Sequence, residues 1–293
     1  MTFGEAADKS KVNSTELVKA NGGAGRHEAL CKVPVFRPVA IRLLAVLTKE
    51  DVDLFEVADL LNSDPGFSTE ILTLANSAAY AMPNRINTVE RAIVTLGIER
   101  TRTLVTRAAL QGMVRGLEEN AAVQNCWVHS RATAAIAGWL APYYRIHPDR
   151  AYTFALMHDI GRLGLLSAHG GRYADLLARA SGTNADLMDA ERMLFGVDHC
   201  EAGEWLTRTW ALPQEFQHTS RNHHRSTEGA PRDSDDLAAC ACALSQALGF
   251  RAAPLVDSEA LEALLERVPD AVSPRARLAA ADLSTYVSRE LHI

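Results

Sequence analysis

Apolar residues recur along this chain at the three- and four-residue intervals of a helix, segment after segment, with no convincing pair of alternating strands. From Pro38 to Thr48, the positions Val39, Leu43, Val46 and Leu47 share a face. Asp53 followed by Glu56 has the spacing of a capping box and opens a helix running to Leu61. Asp64-Pro65 reads as an N-cap with proline in the first turn, and Phe67, Ile71, Leu74, Ala75 and Ala78 line up behind it. Asn76 to Tyr80 closes that helix in a polar-aromatic turn, and Met82-Pro83-Asn84 forms a loop. Asn87 with Glu90 starts a helix that Gly97 stops, and another follows from Glu99 to Met113.

A second series begins near Asn120, where His129 falls on the inward stripe of Ala132, Thr133, Ile136 and Leu140. Pro148-Asp149 starts the next helix, which contains a stretch unlike the rest. Phe154 to Leu166 is apolar almost all round, with His158 and Asp159 at its centre, so it is expected to cross the interior as one helix. Gly161 and Gly164 each cost about 1 kcal/mol of helix propensity relative to Ala, which is easier to accept where another backbone comes close. Tyr173, Leu176 and Leu177 mark a short helix, and Asp198 caps one in which His199 shares a stripe with Ala202, Gly203 and Leu206. Leu212-Pro213 opens another, with Phe216, Ser220 and His223 on one side. After a polar loop (Arg221 to Asp235), Asp236 to Gly249 is helical, and Pro254 separates it from two last helices over 257–268 and 274–291.

The expected fold is therefore all-α, a helical bundle. It comprises a lead-in over 1–29, a first helical part over 30–116, a second over 117–250 and C-terminal helices over 251–293. Composition sharpens this only a little. A chain of 293 residues that is 47% hydrophobic can bury a sizeable core, and a net charge of −6 argues against binding nucleic acid by bulk charge. The segment Glu90 to Leu110 has the outline of a helix-turn-helix, and Arg85, Arg91, Arg100, Arg102, Arg107 and Arg115 outnumber the acids around it. Two packed helices joined by a glycine give the same outline, and nucleic acid is the disfavoured partner. No apolar run approaches the roughly 20 residues of a membrane helix, and Met1 to Arg26 lacks the core of a signal peptide. Five scattered cysteines (Cys31, Cys126, Cys200, Cys240, Cys242) point to a reducing cytoplasm rather than to a disulfide framework, and Cys240 and Cys242 read as buried structural thiols.

The chemistry lies in the histidines. Inward-facing His129, His199 and His223, with the pair His158-Asp159, are suited to a divalent transition metal held from several helices. Two such ions would activate water for phosphoester hydrolysis. Without a metal, the natural partner of Asp159 is Arg162, three residues on along the same helix.

Cys126-Trp127-Val128-His129-Ser130, Leu156-Met157-His158-Asp159-Ile160-Gly161-Arg162-Leu163 and Val197-Asp198-His199-Cys200-Glu201-Ala202-Gly203 resemble the HD superfamily. Leu61 to Gly66, Leu74 to Tyr80 and Ile86 to Gly97 resemble the HDOD branch, the HD-related output domains of bacterial signalling proteins. The resemblance covers about residues 30 to 250. It implies a helical N-terminal part packed on an HD-like part, and a regulatory module that binds signalling proteins or a small ligand. The alternative it leaves is a metal-dependent phosphohydrolase acting on a nucleotide or cyclic dinucleotide. Carried over from hydrolytic relatives, the candidate ligands for Fe, Mn or Zn are His129, His158, Asp159, His199 and His223, with His224 the alternative to the last. The later carboxylate of those relatives falls on Cys242, a softer donor that cannot replace an oxygen ligand.

Overall fold

A computed structural model describes residues 27–33, 37–47, 49, 51–77, 85–113, 116–117, 119–225, 233–255, 264, 283–289 and 291. Among these the chain is all-helical, as its periodicity predicts, and no helix is long and apolar enough to cross a membrane. The first helices are α1 (Pro38–Leu47), α2 (Leu54–Asn62), α3 (Pro65–Ala75) and α4 (Val89–Met113). They bury one face each against the others through Leu43, Leu44, Leu47, Leu61, Ile71 and Ile93. Asp53 caps α2 by accepting from the Phe55 amide at 2.8 Å, while Glu56 turns to Lys49 rather than completing a capping box. The cap before α4 is Thr88, whose Oγ1 accepts from the Arg91 amide at 3.2 Å, one residue past the Asn87 expected there. Asn76 bonds to both backbone groups of Ile86, ten residues on, while the loop expected at Met82-Pro83-Asn84 lies outside the described residues. The Asn76 side chain donates to the carbonyl and accepts from the amide of Ile86, both at 2.9 Å.

Gly97 takes φ 76° in the middle of α4, a conformation natural only to glycine, and splits it as the sequence indicates. In the second half Thr101 to Thr106 are buried, and Arg102 donates to the Leu47 carbonyl and pairs with Glu99. That half of α4 joins the helices that follow, with Thr103 and Thr153 sharing a hydroxyl contact of 2.7 Å.

The site-bearing helices are α5 (Ala121–Tyr144), α6 (Pro148–Leu156), α7 (Ile160–His169), α8 (Gly171–Arg179), α9 (Asn184–Phe195), α10 (His199–Thr209), α11 (Gln214–Asn222) and α12 (Ser234–Ala247). Helix α5 is central and packs against both α6 and α12; α7 packs on α10, and α10 on α11. The apolar stretch 154–166 is not the single helix that its composition suggests. It breaks at Met157, His158 and Asp159, and the His158 ring turns back to the Ala155 carbonyl at 2.6 Å. No proline or glycine stands at the corner; the bond there is this local one, from a side chain to a carbonyl three residues back. Helix α9 was hidden in a charged stretch, though Thr183 and Asp186 form a full capping box at its start. Helix α12 begins at Ser234, behind an Asp233 cap, rather than at Asp236. The expected last helices fall largely outside the described residues, of which 283–289 are helical.

Gly161 and Gly164 serve the close approach their spacing implies. A Cβ at Gly161 would lie 1.8 Å from the His199 carbonyl oxygen, and Gly203 offers an equally bare surface on α10. At Gly164 the obstacle is only the end of the Leu206 side chain, 2.3 Å away. Gly161→Ala should therefore cost about 3 kcal/mol, the upper end for overpacking, and Gly164→Ala clearly less because Leu206 can turn aside. Urea denaturation of the two variants checks the order; equal losses would mean the α7–α10 crossing is looser than described.

Candidate metal centre

The corner between α6 and α7 points His158 and Asp159 into the space enclosed by α5, α10 and α11. All five sequence candidates converge there, and none of them is more than 2% exposed. His129 comes from α5, His199 from the first turn of α10, and His223 from the residue that ends α11. Around the Asp159 carboxylate stand His223 Nε2 at 3.6 Å, His199 Nε2 at 3.8 Å and His129 Nε2 at 3.9 Å. His129 and His158 meet directly, with their Nε2 atoms 3.2 Å apart. His224 also lies close, its ring centroid 5.0 Å from that of His199, so the histidine pair contributes both members to the neighbourhood.

Arg162 is the strongest partner of Asp159. Its Nε donates to both carboxylate oxygens, at 2.8 and 3.0 Å, and the side chain is buried. The guanidinium continues to His199 Nε2 at 3.2 Å and to Glu191 Oε1 at 3.5 Å. Glu191, on α9, is the site residue that sequence reasoning missed. It accepts from the Tyr173 hydroxyl at 2.7 Å, from the His199 amide at 2.8 Å and from His199 Nδ1 at 2.7 Å. Only the capping box of α9 could have signalled it, by marking as a packed helix what otherwise reads as a charged surface. Cys242 reaches the site from α12, with Sγ 3.6 Å from His129 Nε2.

Two groups of these residues bring potential ligand atoms together beyond the His158–Asp159–His223 set. One is His129, His158 and Cys242; the other is His199, Cys200, His223 and His224. A pair of hard, oxygen-ligated ions does not suit the whole set. Asp159 is already engaged by a guanidinium, and a thiol stands where a second carboxylate would be needed.

A family model, the HDOD domain, matches residues 33–226. The chain belongs to the HDOD domain family. Its fold is shared by the crystal structure of an HDOD domain protein from Geobacter sulfurreducens, at TM-score 0.64 and 22% identity, covering 90% of this chain and 98% of that one. A Marinobacter aquaeolei protein proposed to act in signal transduction aligns at TM-score 0.68 and 16% identity, covering 95% of this chain and 66% of that one. A Shewanella amazonensis protein proposed to be a metal-dependent phosphohydrolase aligns at TM-score 0.61 and 20% identity, covering 94% and 98%. Among curated proteins, one from Treponema pallidum is 22% identical over 197 residues; the match takes in 66% of this chain but 37% of that protein's length.

Electrostatics in this HDOD centre follow from burial and from Arg162. Burial alone would raise the Asp159 carboxyl, but Arg162 and the surrounding imidazoles hold it well below its ordinary value. Burial pushes His158 down to about 3, and lowers His129 and His223 as well. For His199, burial and Arg162 favour the neutral ring, but Glu191 and Cys200 favour the charged one and carry the balance upward, to about 10. Nδ1 donates to Glu191 at 2.7 Å, while the Arg162 guanidinium, 3.2 Å from Nε2, works against a second proton on the ring.

Removing Arg162 strands two buried carboxylates. Arg162→Met should lose about 3–5 kcal/mol in urea denaturation, and adding Asp159→Asn should restore part of it. Full additivity of the two losses would deny the pairing. The pH dependence has a definite sign. A histidine that is neutral when folded gains a proton on unfolding, so stability falls as pH drops below about 6.5, the unfolded value. For His158 the loss continues down to about 3, at up to about 1.4 kcal/mol per pH unit. The depressed Asp159 adds its own loss below about pH 4, where the unfolded carboxylate protonates first. His158→Gln should flatten the stability profile between pH 6 and 4; an unchanged slope would show that His158 is not held neutral.

Proposed function

We propose that this HDOD protein is a bacterial regulatory module that works by binding a signalling partner or a small ligand, without turnover of its own. The observation that carries the reading is the ion pair of Asp159 with Arg162. In a hydrolytic HD centre that carboxylate has to serve the metal, and here both its oxygens accept from a buried guanidinium. Cys242 in place of a carboxylate and the deep burial of every candidate residue support the same reading. On this view the domain runs over residues 30–250, in two helical parts meeting near residue 116, and acts in the cytoplasm, where its free thiols stay reduced.

The name of the Shewanella protein favours a second reading, a metal-dependent phosphohydrolase, for which the resemblance to hydrolytic HD proteins suggests a nucleotide or cyclic dinucleotide as substrate. The two separate in one assay. Purified protein supplied with manganese, iron or zinc is given cyclic dinucleotides, nucleotides and an aryl phosphodiester. The binding module should show no hydrolysis above that of the His158→Ala and Asp159→Ala variants. Turnover in the wild type that vanishes in both variants would overturn it.

A further inference from the structure

We infer that His129, His158 and Cys242 form a site for a single thiophilic divalent ion, zinc being the metal whose coordination chemistry it fits best. This goes beyond the regulatory reading, since it concerns which ion the centre selects and holds whether or not the protein turns over substrate.

Each imidazole has its Nδ1 committed to a backbone carbonyl. His129 Nδ1 donates to Phe250 O at 2.8 Å, and His158 Nδ1 donates to Ala155 O at 2.6 Å. The Nε2 atoms are therefore lone pairs, and they face one another at 3.2 Å. Two acceptors so placed repel unless something positive lies between them. A shared proton would create an imidazolium in a space where both rings are buried, whereas a metal ion accepts both lone pairs at once.

Cys242 supplies the third donor. With zinc–nitrogen bonds of about 2.0–2.1 Å and zinc–sulfur of about 2.3 Å, a tetrahedral centre sets two nitrogens about 3.4 Å apart, and nitrogen and sulfur about 3.6 Å apart. The observed separations are 3.2 Å between the rings and 3.6 Å from Cys242 Sγ to His129 Nε2. All three donor atoms lie within 4.8 Å of one another.

The surroundings also hold these donors in place, as supporting hydrogen bonds do around metal ligands. Gln246 Nε2 donates toward Cys242 Sγ at 3.5 Å and fixes where the sulfur points. The Gln246 amide is itself oriented by Asn184, which donates to its Oε1 at 3.0 Å. Ser245 Oγ lies 3.3 Å from His129 Nδ1 and 3.2 Å from the Phe250 carbonyl. The competing group, His199 with Cys200, His223 and His224, is less suited to a cation because the Arg162 guanidinium sits 3.2 Å from His199 Nε2. With Asp159 held by Arg162, the three protein donors leave a fourth position for water or an outside ligand, and the thiolate steers selection away from manganese or magnesium.

Cobalt(II) tests this directly, because a thiolate–cobalt bond gives a near-ultraviolet charge-transfer band that carboxylate and imidazole ligands do not. Full-length protein loaded with one equivalent of cobalt should show the band, together with the intense visible bands of a tetrahedral ion, and zinc should displace both. Cys242→Ser should abolish the band and weaken zinc retention about tenfold to hundredfold, while Cys240→Ser, at a thiol outside the trio, should preserve both. Should Cys242→Ser fail to fold, Cys242→Asp serves instead, with the band lost and binding shifted toward manganese. Absence of the band in the wild type would overturn the inference, and so would its loss in Cys200→Ser but not in Cys242→Ser. None of these readings depends on hydrolysis, so they stand or fall apart from the phosphodiester assay.

Discussion

The centre of this protein depends on one ion pair, the two-oxygen contact between Asp159 and Arg162. Both groups are deeply buried, and each would cost several kcal/mol to bury alone. Together, and with Glu191 on the far side of the guanidinium, they convert three costly charges into a connected polar layer between α7, α9 and α10. The break between α6 and α7 follows from the same requirement. A continuous helix would carry His158 and Asp159 round its axis, whereas the corner lets both side chains enter the same space.

Packing around the pair is equally constrained. Gly161 and Gly203 let the backbones of α7 and α10 touch, which brings His199 within reach of Arg162 and puts its other nitrogen on Glu191. Glycine is used here for proximity, not for its conformational freedom. The result is a centre in which His129, His158 and His223 are each oriented by a backbone carbonyl, those of Phe250, Ala155 and Ser220, and His199 by Glu191. Such anchoring fixes which nitrogen of each ring faces inward.

Much of this was legible in the chain. His129, His199 and His223 stand among small apolar residues at helical spacing, and a polar residue on such a stripe has to meet a partner inside. Glycines at 161 and 164, in a helix with no turn to make, announce a close crossing. Other features were not legible. The apolar pattern does not announce the corner at Met157, since no proline or glycine sits there and the bond at it runs from the His158 ring to a carbonyl three residues back. Glu191 lies between Asp189 and Arg192, residues that face solvent, and its burial is decided by Tyr173 and His199 from other helices. Arg162 could be paired with Asp159 by spacing, but its reach to Glu191 depends on how α9 packs.

The hydrogen bond from His129 to the Phe250 carbonyl has a consequence for how this module can be handled. The family-matched region ends at residue 226, yet both that carbonyl and the Cys242 thiol lie after it, on and just past α12. A fragment trimmed to the family's borders would keep every histidine of the centre while losing what steers one of them. Transplanted into a chimera, the module would have to travel with its own trailing helix, or arrive with one ring of its centre unmoored.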